Sequence, residues 1–205
     1  MNLKWHIVKN FPKNYPLWKK ILANTMFLFA TTRYTKRKNN LQYKDLEKVE
    51  KIIKKGDIVL VGGLRRMSKF FIRGIFTHCL IHNEKDKMIH SIADGVEEVS
   101  LSEIFNEYDT LLVLRHREIN EEKSEKVRNY VKSKIGKPFN FEFGKDENRF
   151  YCSYLAYLAY QQVELKTVNM NKNVIHPMQH INDRFEIVFA SNNLSISENK
   201  IKIIK

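Results

Sequence analysis

Two stretches of the chain repeat apolar residues at helical spacing. Between residues 43 and 57 the apolar side chains recur every three or four positions, and a glycine ends the pattern. The longer pattern runs from Asn120 to Ile135. It begins with an Asn that can cap a helix, continues with two glutamates in the first turn, and ends at Gly136. Both stretches predict amphipathic helices, and residues 65–76 predict a third helix.

Short apolar runs, several of them alternating with polar residues, predict β-strands. An Asp-Gly pair joins the third run to the fourth, which is the usual signal for a tight turn between antiparallel strands. Few helices separate the runs, so their order predicts an α+β fold in which a mainly antiparallel sheet packs against helices. A dinucleotide-binding fold is not supported, because regular strand–helix alternation is missing. The predicted strands are DIVLVGG (57–63), THCLIHN (77–83), KMIHSI (87–92), GVEEVS (95–100), DTLLVLRH (109–116) and FEIVFAS (185–191).

The positive charge is concentrated at one end of the chain. The 205 residues carry a formal charge of +13, but residues 1–40 hold nine basic side chains and no acidic one. The remaining residues hold 27 basic and 23 acidic side chains, which leaves only +4. The hydrophobic content of 43% is typical of a globular domain. We therefore expect three parts: a basic aromatic extension (1–42), a globular domain (43–191) and a loose basic tail (192–205).

The mixture of basic and aromatic side chains in residues 1–40 allows several interpretations. It is typical of a segment that binds an anionic membrane surface, but it also fits a solvated, Lys-rich face of an ordinary helix. A secretory signal around "ILANTMFLFA" is a third interpretation, although Asn24 and Thr25 interrupt its apolar run. Nucleic acid is the least supported partner, since no recognition motif accompanies the charge. No apolar run approaches the roughly 20 residues of a membrane-spanning helix, so we expect a cytoplasmic or membrane-peripheral protein.

Cys152 stands where a predicted helix begins, in "FYCSYLAYLAYQQ" (150–162). The reactive form of a cysteine is the thiolate, and a helix N-terminus with a nearby imidazole lowers the pKa of the thiol. The backbone N–H of Cys152 would point the same way and help to bind an oxyanion. The plain alternative is a structural cysteine, since free cysteines are among the most buried residues. The other cysteine, Cys79, is expected in the core, and the two cysteines form neither a disulfide framework nor a zinc-binding spacing.

Two histidines on neighbouring predicted strands could supply the base. His78 opens the run THCLIHN, and His90 lies in the run KMIHSI. If the loop between the strands has an odd number of residues, the two side chains share a face of the sheet, whereas an even number separates them. In the odd register one imidazole can take the thiol proton, and the other can hold the first in its productive tautomer. His82 shares the face by alternation and is the weaker candidate, because it lies at the loop end.

Four motifs occur in a characteristic order: a leading "GDIVLVGG", the histidine of "THCLIHN", the polar residue of "MIHSI", and "FYCSYL" at a helix start. In this order residues 56–191 resemble the circularly permuted branch of the NlpC-like papain-fold cysteine hydrolases, the YiiX-like proteins, to which the lecithin–retinol acyltransferases are related. The resemblance implies a permuted papain-like fold with Cys152 as nucleophile, His78 as its base and His90 as the orienting group. The chain departs from the usual pattern at two positions, with Tyr154 in place of a Glu and His180 in place of an Asp.

The resemblance implies acyl transfer through a thioester, without a metal or a cofactor. The main hypothesis is an amidase or peptidase that acts on a cell-wall peptide or another small amide. The same site could act on a lipid amide or ester at a membrane, as a hydrolase or an acyltransferase, and a catalytically inactive binding module is the third hypothesis. His176 and His180 have the i,i+4 spacing of zinc ligands, but Pro177 lies between them and no acidic third ligand is evident.

Overall fold

Six strands form one antiparallel sheet. The structure is a computed structural model that describes residues 6–32, 41–63, 74–169, 174–197 and 200–203. The strands are β1 (Ile58–Gly62), β2 (His78–Glu84), β3 (Lys87–Ile92), β4 (Gly95–Ser100), β5 (Thr110–His116) and β6 (Phe185–Ala190). They lie in the order β4-β3-β2-β1-β5-β6, and every neighbouring pair is antiparallel. All six predicted strands are therefore confirmed.

Helices cover both faces of the sheet and confirm the α+β class. They are α1 (Leu17–Thr31), α2 (Tyr43–Ile52), α3 (Leu101–Glu107), α4 (Glu121–Ser133) and α5 (Cys152–Gln161), with a 3₁₀ turn at Pro177–His180. Helices α4 and α5 pack on one face, and α2 and α3 pack on the other. Helix α1 packs against the loop that precedes α5. Within the described residues, no helix combines the length and the apolar character that crossing a bilayer requires.

The two hydrophobic layers follow from the alternation of side chains along the strands. In β1, Ile58 and Leu60 face the layer of α4 and α5, whereas Val59 and Val61 face the layer of α2 and α3. Every residue of β1 is buried, as expected for a central strand with helices on both sides. This alternation also decides which side of the sheet each candidate catalytic residue occupies.

The helix ends are fixed by specific hydrogen bonds. The predicted cap of α4 is present, because the backbone N–H of Lys123 donates to Asn120 Oδ1 at 2.9 Å. Helix α2 ends at Ile52, several residues before the predicted glycine stop. Its end is held by Arg115, whose guanidinium donates to the Ile52 carbonyl at 2.8 Å and to both oxygens of the buried Asp57 at 2.9 and 2.6 Å. A tertiary contact thus sets this boundary.

The C-terminal residues correct one expectation. Instead of a loose tail, the chain forms a second, two-stranded sheet from β7 (Leu194–Ser197) and β8 (Lys200–Ile203). The hairpin is ordered because Leu194 is buried and Ile201 and Ile203 pack against the core. The predicted helix over residues 65–76 lies mostly outside the described residues, and its described end, residues 74–76, is not helical.

Candidate active site

Helix α5 begins at Cys152, as the sequence predicts. The preceding residue, Tyr151, is extended with φ −104° and ψ 160°, so the first N–H groups of the helix point out at its start. Two hydrogen bonds hold this point in place. Ser91 Oγ on β3 donates to the Phe150 carbonyl at 2.6 Å, and the backbone N–H of Ile175 donates to the Tyr151 hydroxyl at 3.0 Å. The start of α5 is therefore bonded to β3 on one side and to the segment that precedes the 3₁₀ turn on the other.

The thiol of Cys152 is half-buried and lies against the start of β2. Its sulfur is 3.8 Å from the Ser153 hydroxyl and within hydrogen-bonding reach of the Cys79 backbone. Burial raises the pKa of the Cys152 thiol, and the hydrogen bonds from Ser153, Cys79 and the helix backbone only partly offset that rise. The expected lowering of the pKa by the helix terminus is therefore wrong for the resting protein, because desolvation outweighs it. The resting group is the neutral thiol.

His78 and His90 lie side by side on neighbouring strands. The Nε2 atom of His78 is 2.9 Å from Nδ1 of His90, and the two rings meet edge to face at a centroid distance of 5.1 Å. The register of β2 and β3 explains the contact: His90 is directly opposite Leu80, two residues along the strand from His78. A register shift between His82 and Glu84 accommodates the turn. Of the two registers that the sequence left open, the structure has the one in which the two histidines share a face.

Glu97 and Tyr108 complete the surroundings of the pair. Glu97 is directly opposite His90 on β4, and its carboxylate Oε1 is 3.4 Å from His90 Nε2. A carboxylate only accepts, so it favours the tautomer of His90 with the proton on Nε2 and the lone pair on Nδ1. His78 Nε2–H then donates to that lone pair, which leaves Nδ1 as the basic nitrogen of His78. On the other side of His78, the Tyr108 ring stacks at 6.1 Å and an interplanar angle of 10°.

The thiol and the imidazole pair approach the start of β2 from its two sides. Cys79 belongs to the hydrophobic layer of α5, which is the side of Cys152. Leu80 and Tyr108 belong to the layer of α3, which is the side of His78 and His90. The sulfur reaches the backbone of Cys79, the residue directly after His78. The structure therefore pairs the two histidines on one side of the sheet and places the thiol on the other side, near the start of β2.

The remaining candidate histidines and cysteine have other surroundings. His82 Nε2 lies 2.8 Å from the Lys85 carbonyl in the β2–β3 turn, away from His90. Cys79 is 1% exposed, and burial raises the pKa of its thiol well above the usual value. His180 is fully buried next to the backbone of Ser153, and burial lowers its pKa to about 4. Among the described residues, no group of three or more His, Cys, Asp or Glu side chains could hold a metal ion.

Glu97 and Tyr108 were missing from the candidates drawn from the sequence. The signal for Glu97 was misleading, because the predicted Asp-Gly turn would place His90 opposite Val99, whereas the observed turn pairs Ile92 with Gly95 and His90 with Glu97. Tyr108 had none, because it follows a short helix and reaches His78 only through the packing of α3 on the sheet.

Comparison with known proteins supports this fold. The solved structure of the metalloprotein YiiX from Escherichia coli O157:H7 matches with a TM-score of 0.58 and 16% sequence identity, over 67% of this chain and 97% of that one. At this identity the match shows the fold alone. A search of curated proteins gave no match. The family model described as permuted papain-like amidase enzyme, YaeF/YiiX, C92 family, matches residues 52–199. Because that match covers more than half of the chain, the protein belongs to this family of permuted papain-like amidases.

Proposed function

We propose that this cysteine hydrolase cleaves amide bonds with Cys152 as nucleophile, His78 as general base and His90 as the group that orients His78. Membership of the amidase family supports the amide substrate and the thiol chemistry. The observation that carries the residue assignment is the chain of contacts from Glu97 through His90 to His78, which ends at the start of β2, the strand against which α5 packs. Such a chain defines one basic nitrogen at the strand end where the thiol lies.

The reaction begins from the neutral thiol. His78 Nδ1 takes the proton from Cys152 Sγ as the sulfur attacks the amide carbonyl, and the new C–S bond leaves a negative charge on the carbonyl oxygen. This transfer requires the two side chains to meet at the start of β2, because they come from opposite sides of the sheet. The backbone N–H of Cys152, at the positive end of α5, stabilises that oxyanion. His78 then gives its proton to the departing amine as the C–N bond breaks, and a thioester remains.

Water completes the cycle by the same route. His78 removes a proton from a water molecule, the oxygen attacks the thioester carbonyl, and the C–S bond breaks with return of the proton to sulfur. His90 keeps Nδ1 of His78 unprotonated in the resting state, and Glu97 keeps His90 in the tautomer that accepts from His78. The products are an amine and a carboxylic acid. As substrates we propose cell-wall peptides or other small amides.

A panel of peptide amides and lipid esters, assayed with matched variants, tests the proposal. We expect Cys152→Ala to lower kcat/KM by about a thousandfold or more and His78→Gln by a similar factor. His90→Ala should cost about a hundredfold, with partial recovery in His90→Gln, which keeps an acceptor near His78. Cys79→Ser serves as the control, since Cys79 faces the core, and it should retain activity if it folds.

Mass spectrometry of the stalled reaction gives an independent readout. A substrate with a slow deacylation step should add its acyl mass to Cys152 in the wild-type protein and in Cys79→Ser, and add nothing to Cys152→Ala. If Cys152→Ala keeps full activity, or if the acyl group is found on another residue, the assignment of the nucleophile is refuted.

A further inference from the structure

Helix α1 presents a row of large apolar side chains to solvent. The row recurs at positions three and four apart, so its members share one face of the helix. This helix lies outside the residues that the family model matches. We call the row the α1 ridge, and its members with their exposed fractions are Leu17 (73%), Trp18 (63%), Ile21 (61%), Leu22 (51%), Leu28 (37%) and Phe29 (41%).

Side chains beside and behind the ridge hold α1 to the body of the protein. Ala23 is 2% exposed, and Asn24 Oδ1 accepts from the backbone N–H of Val8 at 2.8 Å. Lys19 forms an ion pair with Glu142 in the loop before α5. Because these contacts fix the orientation of the helix, the ridge is turned outward in the folded protein.

The charge around the ridge selects its partner. Within the described residues 6–32 the chain carries Lys9, Lys13, Lys19 and Lys20 and no acidic side chain, so two copies meeting ridge to ridge would bring like charges together. An anionic lipid surface satisfies both features, since it takes up apolar side chains and attracts the bases beside them. With 15 residues, α1 spans about 22 Å, less than the roughly 30 Å of a bilayer core. Its geometry therefore suits a helix that lies in the surface.

The segment before α1 contacts the loop that leads to Cys152. Phe11, in the segment before α1, contacts the Phe141 ring at 5.8 Å. From Phe141, ring contacts continue through Phe139 at 4.9 Å and Phe143 at 5.8 Å. The Phe143 ring then meets Tyr151 at 5.4 Å, the residue before Cys152. A membrane surface bound to α1 would thus lie next to the aromatic loop that leads to Cys152.

We propose that the α1 ridge docks the protein on an anionic lipid surface. The proposal does not depend on the catalytic assignment, because the docking residues and the proposed catalytic residues are different. Co-sedimentation with vesicles tests it, with phosphatidylcholine alone and with one part in three of phosphatidylglycerol, at low and high salt. The protein with residues 1–205 should bind the anionic vesicles and lose binding as salt rises.

Two double variants test whether vesicle binding needs the α1 ridge or merely any exposed apolar side chains. Trp18→Ser/Ile21→Ser should weaken binding by about tenfold or more, since two inserted side chains are lost. Tyr43→Ser/Ile135→Ser removes apolar side chains that are 75% and 44% exposed but lie elsewhere, and it should bind like wild type. Circular dichroism confirms that both variants fold, as expected for exposed positions.

Three results would overturn the docking proposal. They are equal binding to neutral and anionic vesicles, unchanged binding by the ridge variant, and a wild-type dimer that the ridge variant converts to a monomer without any vesicle binding. The last result would identify the ridge as a self-association surface. Cys152→Ala should bind vesicles as wild type does, so the failure of the catalytic proposal and the failure of the docking proposal are distinguishable.

Discussion

The protonation state of Cys152 at rest decides how the proposed active site can work. A thiolate formed in advance needs a pKa below the ordinary thiol value, whereas burial raises the pKa of Cys152. The neutral thiol then needs a base at the moment of attack. The hydrogen-bonded series Glu97–His90–His78 meets this requirement, because it fixes the tautomer of His78 in which Nδ1 can accept the proton.

Alkylation by iodoacetamide measures this protonation state directly. In Cys79→Ser, where Cys152 is the remaining cysteine, the rate should rise about tenfold per pH unit between pH 7 and pH 8.5, because only the thiolate reacts. In Cys152→Ser, the buried Cys79 should react at least about a hundredfold more slowly, since it is 1% exposed and burial raises its pKa well above the usual value. A rate for Cys152 that is already constant below pH 7 would show a preformed thiolate and refute the neutral-thiol mechanism.

His180 makes stability depend on pH. It is fully buried, and among the described residues neither ring nitrogen has a hydrogen-bond partner of good geometry, although the Ser153 backbone is close enough to raise its pKa slightly. Burial is the larger effect and lowers the pKa from 6.5 to about 4. Between those values the unfolded chain binds more protons than the folded one. The contribution of neutral His180 to the free energy of unfolding is therefore complete above pH 6.5 and is lost as the pH falls towards 4.

Urea unfolding at several pH values tests this expectation. The wild-type free energy of unfolding should fall by about 3 kcal/mol more than that of His180→Leu between pH 7.5 and pH 4, because a shift of one pKa unit corresponds to about 1.4 kcal/mol. The carboxylates that titrate in the same range contribute equally to both proteins, so their effect cancels when the two pH dependences of the unfolding free energy are compared. Parallel curves for the two proteins would show that His180 is protonated equally easily in the folded and unfolded states.

At the level of secondary-structure elements, the end of β1 depends on a close backbone approach. A Cβ atom added at Gly62 would lie 2.1 Å from the Ile75 carbonyl oxygen and 2.8 Å from Thr110 Cγ2. The first of these atoms belongs to the backbone and cannot move without distorting the entry to β2. We therefore expect Gly62→Ala to lower the free energy of unfolding by about 3 kcal/mol.

Gly144→Ala is the matched control for Gly62→Ala. No atom lies within 4 Å of a Cβ at Gly144, and its φ is outside the left-handed region, so the substitution should change stability by less than about 0.5 kcal/mol. Thermal and urea unfolding of the two variants give the comparison. Equal stabilities would mean that the segment around Ile75 moves away from β1 at little cost.

Strands and helix starts could be predicted because local patterns determine them. Period-two alternation located β2 and β3. The register that places His90 opposite Glu97 is set by a turn at Ala93–Asp94, one residue before the predicted Asp-Gly turn. The β2–β3 turn is different, since its shifted register depends on a tertiary contact in which Asn83 Nδ2 donates to Glu98 Oε2 at 2.8 Å. The pKa of Cys152 could not be predicted for the same reason, because desolvation depends on what packs around the sulfur.

At the scale of the whole molecule, the family domain and the N-terminal helix differ in how they are stabilised. Strand β1 is buried along its whole length and pairs with β2 and β5. Helix α1 buries only Ala23 among its residues and keeps its apolar ridge in solvent. A helix that gains so little from burial opens at a low free energy, whereas β1 opens only when the domain unfolds.

Hydrogen exchange followed by mass spectrometry tests this contrast. In solution, the amides of α1 should exchange at least about a hundredfold faster than those of β1. Helix α4, which buries Val127 and Val131 against the core, is the internal control and should exchange at an intermediate rate. Adding anionic vesicles should slow exchange in α1 and leave α4 and β1 unchanged, because only α1 gains a partner for its apolar face. Protection of α1 equal to that of β1 without lipid would show that the helix is already stabilised by the body of the protein, and the structural reason for expecting a separate docking element would disappear.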